Sequence, residues 1–397
     1  MANSEPSPSK RPQQPDVQAA SDKPGATTKK IHQEATDELF PQYWKSGSLK
    51  YTDFEPLTEG GTAELQTCLD RNLNRVVVYK KLHDHLADSD MENARFLREA
   101  RVTALISHPG TVPLYEVGRD RSGAMYFTMK RLEGQDLSVI LKALSARNRE
   151  TEAEFPLPRL IDIMIQACQT LSFAHSSGII HRDIKPANIL VGAFGEVTVL
   201  DWGLAKVHGE EVKDLESLAS VEVPLGKEAV RMHLTQPGRR YGTPLYMSPE
   251  QAEGKATIDE RTDIYNMGSV LFEILTRENL VFGSKIDEVL EMILERPTPE
   301  PIKVAPDQEI PKPLNAICCK ALQKDPDDRY QSMNDFCEDL LAYRSDEKVS
   351  VYRYTLRESM AKFKHRHVIT LVAALASAAA GALLCWILLS VAALAGS

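Results

Sequence analysis

Residues 181–188, His-Arg-Asp-Ile-Lys-Pro-Ala-Asn, place a carboxylate, an ammonium group and an amide within one short segment. Thirteen residues later, Asp201-Trp202-Gly203 adds a second carboxylate directly after the strand-like run 197–200. A carboxylate can accept the proton of a hydroxyl group, and carboxylate and amide oxygens are ligands that hard divalent cations prefer. These groups meet the needs of phosphoryl transfer, in which a base orients the attacking hydroxyl and metal ions neutralise phosphate charge.

The first of these segments resembles the catalytic loop of the eukaryotic-type protein kinase family, and the second resembles its metal-binding D-F-G motif. The resemblance implies that Asp183 accepts the substrate proton and that Lys185 balances charge on the phosphoryl group. It implies that Asn188 and Asp201 bind the metal ion, expected to be Mg²⁺ with Mn²⁺ as an alternative. A lysine two places after the aspartate is typical of the serine/threonine branch. Tryptophan replaces phenylalanine, which changes a packing residue and keeps the metal ligand.

Two later motifs resemble the end of the family's activation segment: Gly242-Thr243-Pro244 and Ser248-Pro249-Glu250. The resemblance implies that Thr243 lines the protein-substrate site and that Glu250 pairs with Arg329. It also implies that Asp263 braces the catalytic loop from a central helix. A buried ion pair of this kind is costly to break, because the remaining charge loses its partner.

The resemblance also implies regulation, because Arg182 directly precedes Asp183 and would pair with a phosphate on the activation segment. The stretch between Asp201 and Glu250 is long for the family, and residues 207–235 are acidic and then basic. The candidate phosphate acceptors are Ser217, Ser220, Thr235 and Thr243, and the sequence does not rank them.

The stretch 57–65 aligns with the family's phosphate-covering loop, G-x-G-x-x-G-x-V, but keeps only the second glycine, Gly60. Thr58, Ala63 and Leu65 stand at the other three positions. Alone, the stretch indicates a plain β-turn. Its position 20 residues before a lysine in a valine-rich strand supports the alignment. The resemblance then implies nucleotide contacts from Leu57, Gly60 and Leu65.

Two adjacent lysines, Lys80 and Lys81, are candidates for the family's nucleotide-binding lysine. Side chains alternate across a strand, so the residue two before the lysine faces the same way and would pack on adenine. This residue is Val78 for Lys80 and Tyr79 for Lys81. A tyrosine would fill the adenine pocket, so we choose Lys80.

A helix predicted over 90–106 supplies the expected partner of Lys80. Ser89 and Glu92 have the spacing of a capping box. An apolar face is predicted from Leu97, Ala100, Ala104 and Leu105. The resemblance implies that Glu99, on this helix, pairs with Lys80. An exposed salt bridge from Glu99 to Arg95 or Arg101 is the alternative.

Residues 125–134 resemble the strand and hinge that join the two lobes of family members. The resemblance implies that Met129 lies at the back of the adenine pocket and that Lys130 and Leu132 offer backbone groups to adenine. The rest of the expected ATP site consists of Leu57, Gly60, Leu65, Val78, Lys80, Asn188 and Asp201.

Hydrophobic patterns predict a small strand-rich part followed by a larger helical part. The β-branched run 76–78 indicates a strand, and helices are predicted over 159–175 and 263–275. The expected fold is α+β, the bilobal protein-kinase fold, with an N-lobe over 51–132 and a C-lobe over 133–344. A cleft between two such lobes is a common ligand site.

The ends of the chain differ in composition from its middle. Residues 1–50 are expected to be a disordered segment and lead-in, because their first 30 are polar and rich in proline. Residues 368–394 carry no charge and predict a transmembrane helix, with a buried globular helix as the alternative. The basic linker 345–367 before it predicts a kinase domain in the cytoplasm, anchored by one C-terminal span. The chain resembles bacterial membrane-attached members of the family, which implies a bacterial inner membrane. Gly381 and many alanines in the span allow a homodimer.

The net charge of −9 argues against a nucleic-acid-binding protein. The chain is therefore expected to be an ATP-dependent serine/threonine protein kinase that acts on proteins and also phosphorylates itself. The alternative is a membrane-anchored pseudokinase scaffold, which the eroded glycine loop favours. Against that alternative stands the complete set Lys80, Glu99, Asp183, Asn188 and Asp201. A kinase for small molecules is disfavoured by the motifs that resemble a protein-substrate site.

Overall fold

The described part of the chain is most of its middle and C-terminal half. The computed structural model describes residues 47–207, 245–255, 258–283 and 285–359, with the separate residues 377, 378 and 381. The predicted disorder before residue 47 lies outside this part, and so does the predicted span 368–394 apart from those three residues. Among the described residues, no helix is long and apolar enough to cross a bilayer.

The N-terminal part is an antiparallel five-stranded sheet in the order β1-β2-β3-β5-β4. Its strands are β1 (Tyr51–Glu59), β2 (Ala63–Asp70), β3 (Arg75–Leu82), β4 (Leu114–Arg119) and β5 (Met125–Lys130). Strand β3 lies at the centre of the sheet, and its two faces have different neighbours. Tyr79 points to an aromatic cluster with Tyr51 and Tyr126, whereas Val78 and Lys80 point to the other side.

One helix, α1 (Asp90–Leu105), packs on this sheet. Ser89 caps it by accepting a hydrogen bond from the Glu92 amide, as predicted. The predicted apolar face is partly wrong. Helix α1 buries Phe96, Ala100 and Val102, whereas Ala104 and Leu105 are exposed. The sheet lies on the side of the helix that also carries Glu99, so tertiary contact and not apolar spacing set the buried face.

The C-terminal part is mostly helical, as predicted. Its helices are α2 (Leu137–Ser145), α3 (Arg149–Glu154), α4 (Leu157–Ser176), α5 (Pro249–Glu253), α6 (Arg261–Thr276), α7 (Ile286–Leu294), α8 (Pro301–Val304), α9 (Lys312–Ala321) and α10 (Met333–Arg344). The two predicted helices are confirmed as α4 and α6, both of which are buried in one hydrophobic core. The arrangement of a strand-rich lobe before a helical lobe is thereby confirmed.

Five short strands follow the sheet in sequence, and some of them flank the segment 181–188 and Asp201. These strands are β6 (Gln135–Asp136), β7 (Ile179–Ile180), β8 (Ile189–Val191), β9 (Val197–Val199) and β10 (Lys206–Val207). They pair in the order β6-β8-β9 and as β7 with β10. Single turns of 3₁₀ helix span Gly47–Lys50, Asp84–Leu86, Pro186–Asn188, Pro306–Gln308 and Pro326–Asp328. The catalytic-loop motif thus lies between β7 and β8, and Asp201 follows β9.

The chain stays packed on the helical lobe beyond α10, in a segment we call the C-terminal strap (residues 345–354). Val349 is buried in the main core. The buried carboxylate of Asp339, on α10, accepts hydrogen bonds from the Ser350 amide and hydroxyl and from the Tyr330 hydroxyl. The first residues of the predicted linker 345–367 are therefore part of the folded lobe.

Candidate functional site

Asp263 of α6 binds the backbone of the catalytic-loop segment. Its side chain lies in the protein interior with no exposed surface. Its carboxylate accepts hydrogen bonds from the backbone amides of His181 and Arg182, each at 2.8 Å, and contacts His175 Nε2 at 2.7 Å. Burial acts to raise the pKa of Asp263, but these bonds outweigh it and hold the pKa below its ordinary value. The buried anion thus fixes the loop backbone.

Within the loop, three predicted residues are in direct contact. Lys185 Nζ donates to Asp183 Oδ2 at 2.6 Å, and Asn188 Nδ2 donates to the backbone oxygen of Asp183 at 2.8 Å and to its Oδ2 at 3.2 Å. The amide nitrogen of Asn188 is therefore used within the loop, and its oxygen is the atom suited to bind a cation. The Asp183 side chain is 30% exposed, so its carboxylate is open to the cleft, and the two hydrogen bonds that it accepts from Lys185 and Asn188 both end on Oδ2.

Asp201 and the catalytic loop are joined through backbone contacts. The amide of Leu200 donates to Asn188 O at 2.8 Å, and the His181 ring contacts Leu200 O at 2.9 Å. Trp202 is buried and packs on the His181 ring, with 4.5 Å between ring centroids. The tryptophan that departs from the family motif thus anchors Asp201 to the loop that carries Asp183.

Two residues of the site have left-handed backbone, which disfavours side chains other than glycine. Arg182 has φ of 70° and Asp201 has φ of 62°. Such conformations persist only where surrounding contacts impose them, and they concentrate at functional sites. Here the contacts are those of Asp263 with the Arg182 amide, and of Gly203 N with Asp201 Oδ1 at 3.3 Å.

The sheet contributes the second charged pair of the site. Lys80 Nζ donates to Glu99 Oε1 at 2.5 Å, and both side chains are largely buried. Burial raises the pKa of Glu99 against the attraction of Lys80, and the carboxylate of Asp201 adds to the rise. A side-chain carbon at Gly203 would lie 3.2 Å from Asp201 Oδ1 and 3.7 Å from Glu99 Oε2, so these two carboxylates lie close together. The pair therefore faces the same cleft as the catalytic loop.

Glu99 pairs with Lys80, and the alternative residues Lys81 and Arg95 have other partners. Lys81 points away and contacts Asp84 and Asp120, each at 2.9 Å. Arg95 pairs with Glu92 at 3.1 Å, and Glu92 lies about two turns before Glu99 in α1.

The glycine-loop stretch is the hairpin between β1 and β2. Its turn is closed by a hydrogen bond from Gly60 N to Ala63 O at 2.9 Å. Leu65 pairs with Lys80 across β2 and β3, and Leu57 is 55% exposed at an irregularity in β1. The hairpin thus lies beside the strand that carries Lys80.

The hinge residues follow directly from the sheet. Met129 of β5 lies directly opposite Val78 of β3, so the two side chains are neighbours on the same face of the sheet. Lys130 ends β5, and its amide donates to Pro113 O at 2.9 Å. Because this amide is already engaged, the backbone group of Lys130 that could bind an adenine is its carbonyl oxygen. Leu132 lies in the connection to the helical lobe and is partly exposed.

Glu250 and Arg329 form a bidentate ion pair, with both N–O distances 2.8 Å. Arg329 also donates to the backbone oxygens of Arg261, Gln323 and Lys324, so that all five of its N–H groups are used. Burial opposes ionisation of Glu250, but hydrogen bonds from Arg329 and Thr262 keep its pKa below the ordinary value. This pair ties α5 to α6 and to the turn before α10.

Four predicted residues lie outside the described part of the chain, and two residues that contact the site were not predicted. Thr243 and the candidate phosphate acceptors Ser217, Ser220 and Thr235 lie outside the described residues. Sequence reasoning missed His175, and it missed Gln251, whose side chain donates to Arg182 O at 2.6 Å. Both partners lie 69 or more positions away in sequence, so no local signal marks these contacts.

Comparison with known proteins gives two findings. Residues 51–342 match a family described as protein kinase domain. The chain is also similar to serine/threonine-protein kinases named PknD. It is 36% identical over 295 residues to that of Chlamydia pneumoniae, with 73% of this chain and 31% of the relative covered. For Chlamydia muridarum the identity is 36% over 293 residues (72% and 30%), and for Protochlamydia amoebophila it is 34% over 298 residues (74% and 30%).

The chain thus spans less than a third of the length of the curated relatives it matches. The residues that match the family, 51–342, nevertheless include every motif described in the cleft. Members of this family use ATP with a divalent metal ion and act on proteins. Because the family match covers most of the chain and agrees with the two-lobed fold, the chain belongs to the protein kinase domain family.

Proposed function

We propose that this chain transfers the γ-phosphate of ATP to serine and threonine hydroxyls of proteins, its own included. The single observation that carries the proposal is the convergence of two charged sets on one cleft. One set is the Lys80–Glu99 pair of the sheet, and the other is Asp183 with Lys185 and Asn188 in the catalytic loop. Asp201 connects the two sets, because backbone bonds of its neighbour Leu200 join it to the loop and its carboxylate lies close to that of Glu99 beside Gly203.

The nucleotide would lie under the β1–β2 hairpin, with its adenine against the hinge. Leu57, Leu65, Val78 and Met129 supply apolar surface for the ring. The carbonyl of Lys130 and the amide of Leu132 are the backbone groups proposed to bind its edge. Lys80, held straight by Glu99 at 2.5 Å, is proposed to bind the α- and β-phosphates.

The donor set fits a magnesium ion that is carried in with the nucleotide. Asp201 offers carboxylate oxygens, and Asn188 offers its amide oxygen because its nitrogen is engaged with Asp183. Bound Mg²⁺ neutralises charge on the phosphates and holds them in line. The left-handed backbone at Asp201 aims the carboxylate, and the buried Trp202 keeps that backbone in place.

Asp183 is proposed to orient the substrate hydroxyl and to accept its proton. As the hydroxyl oxygen bonds to the γ-phosphorus, the bond from that phosphorus to the bridging oxygen breaks and ADP departs with its electron pair. Lys185, 2.6 Å from Asp183 Oδ2, is placed to balance charge on the transferred group. Thr243 is proposed to line the protein-substrate site, and Arg182 to pair with an activating phosphate.

We also propose that the kinase domain is held in the cytoplasm by a single C-terminal membrane span over residues 368–394. The support is the uncharged run in the sequence and the basic residues that precede it. Bacterial inner-membrane location and dimerisation through the small residues of the span extend the same proposal.

The test is transfer of labelled phosphate from ATP with Mg²⁺ by the full-length chain, beside Asp183→Asn. The variant should lose about 10²–10⁴-fold in turnover, the usual worth of a positioned base, while its ATP affinity stays unchanged. Asp162→Asn is the matched control, because this exposed carboxylate pairs with Arg344 near the start of α4, about 20 Å along the helix from the end that leads to the loop. Label should appear on serine or threonine.

Equal turnover in Asp183→Asn would remove the role given to this residue. A wild-type chain that binds ATP and transfers nothing, with or without added protein substrates, would instead support the pseudokinase scaffold.

A further inference from the structure

A histidine outside every motif touches the turn of the glycine loop. His83 directly follows β3, three residues after Lys80. Its Nε2 lies 2.8 Å from the backbone oxygen of Gly60, and its amide donates to Thr62 O at 3.1 Å. Because a carbonyl oxygen only accepts, Nε2 must carry the proton and donate it. His83 thus binds both ends of the three-residue turn Gly60–Thr62.

A neighbouring ring supports this orientation. The His85 ring stacks on the His83 ring with 5.4 Å between centroids and 20° between planes. The turn itself is narrow: a side-chain carbon at Gly60 would lie 3.1 Å from Ala63 O. The hydrogen bond from Gly60 N to Ala63 O and the two bonds from His83 therefore hold the turn in one shape.

The sequence of the glycine loop explains why a hydrogen bond that fixes its turn would matter. A phosphate-covering loop brings backbone N–H groups close to the phosphates, and glycines allow that approach. Here two of the three glycine positions carry Thr58 and Ala63, so the loop has less freedom to adapt to the nucleotide. A turn that cannot adapt must be held in a productive position beforehand, because preorganisation reduces the cost of ordering on binding.

We propose that His83 is a positioning residue for the nucleotide phosphates. Through its Nε2–H bond to Gly60 O, it holds the eroded glycine loop over the phosphate region and couples the loop to the strand that carries Lys80. The inference rests on the proposed function of the cleft as an ATP site. It predicts a contribution to binding of the phosphates and none to binding of the adenosine part.

The test uses two amide substitutions that differ only in reach. In His83→Gln the amide nitrogen stands as many bonds from the backbone as Nε2, so it can donate to Gly60 O. In His83→Asn the nitrogen stands one bond nearer to the backbone and falls short. Affinities of the full-length chain for ATP with Mg²⁺ and for adenosine are measured by calorimetry, with thermal melting as a measure of folding.

His83→Asn should weaken ATP binding by about fivefold, the worth of one hydrogen bond, and leave adenosine affinity unchanged. His83→Gln should restore ATP affinity to near the wild-type value. Unchanged ATP affinity in His83→Asn would overturn the proposal. Equal weakening of ATP and adenosine, or equal behaviour of the two variants, would also overturn it, because either shows a merely structural role.

The measurement separates this inference from the proposed function. Binding is recorded without turnover, so a chain that binds ATP and transfers no phosphate would refute catalysis while the comparison of variants still decides the role of His83. A wild-type chain that binds adenosine and ATP equally would overturn the inference, because the loop would then contribute nothing to the phosphates.

Discussion

At the scale of single residues, the site depends on charges whose partners are buried with them. Asp263 is an anion with no exposed surface, yet it stays ionised because two backbone amides and His175 bind it. Glu250 and Arg329 follow the same rule, since every N–H of the guanidinium has an acceptor. Such groups stabilise the fold only as complete sets, because removal of one member leaves a buried charge unpaired.

Glu250→Gln should therefore lower the free energy of unfolding by about 3–5 kcal/mol at neutral pH, because Arg329 is left buried and unpaired. The folded-state pKa of Glu250 is lowered, so its contribution is fully present above the ordinary carboxyl value of about 4. It is lost as the pH falls through the lower folded-state pKa. Urea unfolding at a series of pH values should show the difference from wild type shrinking in acid.

Glu253→Gln is the matched control, since this exposed carboxylate, on the same short helix, pairs with exposed Lys255. A surface pair of this kind contributes little, so its variant should unfold within about 1 kcal/mol of wild type. A constant difference between wild type and Glu250→Gln down to strongly acid pH would contradict the assignment of the lowered pKa.

At the scale of elements, the segments that carry the site are held by contacts outside their own sequence. Helix α1 turns Glu99 to the sheet although its apolar spacing favours another face. The C-terminal strap has no regular structure in residues 349–354, yet Val349 is in the core and Asp339 binds Ser350. In both cases, one buried contact decides where the element lies.

Val349→Asp should detach the strap, because a carboxylate in that core position would be buried without a partner. Hydrogen exchange of the amides over 347–354 should become faster, as expected for local opening. Lys348→Asp is the control: it places the same carboxylate at the preceding, exposed position and should leave exchange unchanged. Slow exchange in Val349→Asp would contradict the docked strap.

At the scale of the whole molecule, the cleft is assembled from distant parts of the chain. Lys80 and Glu99 come from the sheet and its helix, and Asp183, Asn188 and Asp201 come from loops of the helical lobe. A bridge between Thr111 and Val199 links the two lobes beside the strand that leads to Asp201.

Removal of residues 360–397 should move the protein from the membrane fraction to the soluble fraction without loss of phosphate transfer. The reason is that the proposed apolar span lies wholly in that stretch. Cell fractionation followed by detection of the protein measures its distribution between the two fractions. Full-length chain with Leu384→Arg and Leu388→Arg is the control, because each buried charge costs about 3 kcal/mol at the centre of a span.

That double variant should also leave the membrane fraction. A full-length wild-type chain found only in the soluble fraction would refute the anchor, and the proposal for the kinase domain would stand unchanged.

The family, the order of the motifs and the main helices of the second lobe were predictable from the amino-acid sequence. Residue type and spacing suffice for these features, since they depend on neighbours along the chain. Helix α4 illustrates this, because the predicted apolar positions Leu160, Met164 and Leu171 are all buried. The choice of Lys80 over Lys81 also came from strand alternation, a local rule, and the two lysines do lie on opposite faces.

Three features depend on tertiary packing: the face that α1 buries, the contact of Asp263 with His175, and the contact of His83 with the glycine-loop turn. The partner of His175 is 88 positions away, and that of His83 is 23 positions away. Such hydrogen bonds depend on a match of distance and direction to within a few tenths of an ångström. Periodicity carries no information on that match, because the positions of both partners are set by the packing of other elements between them.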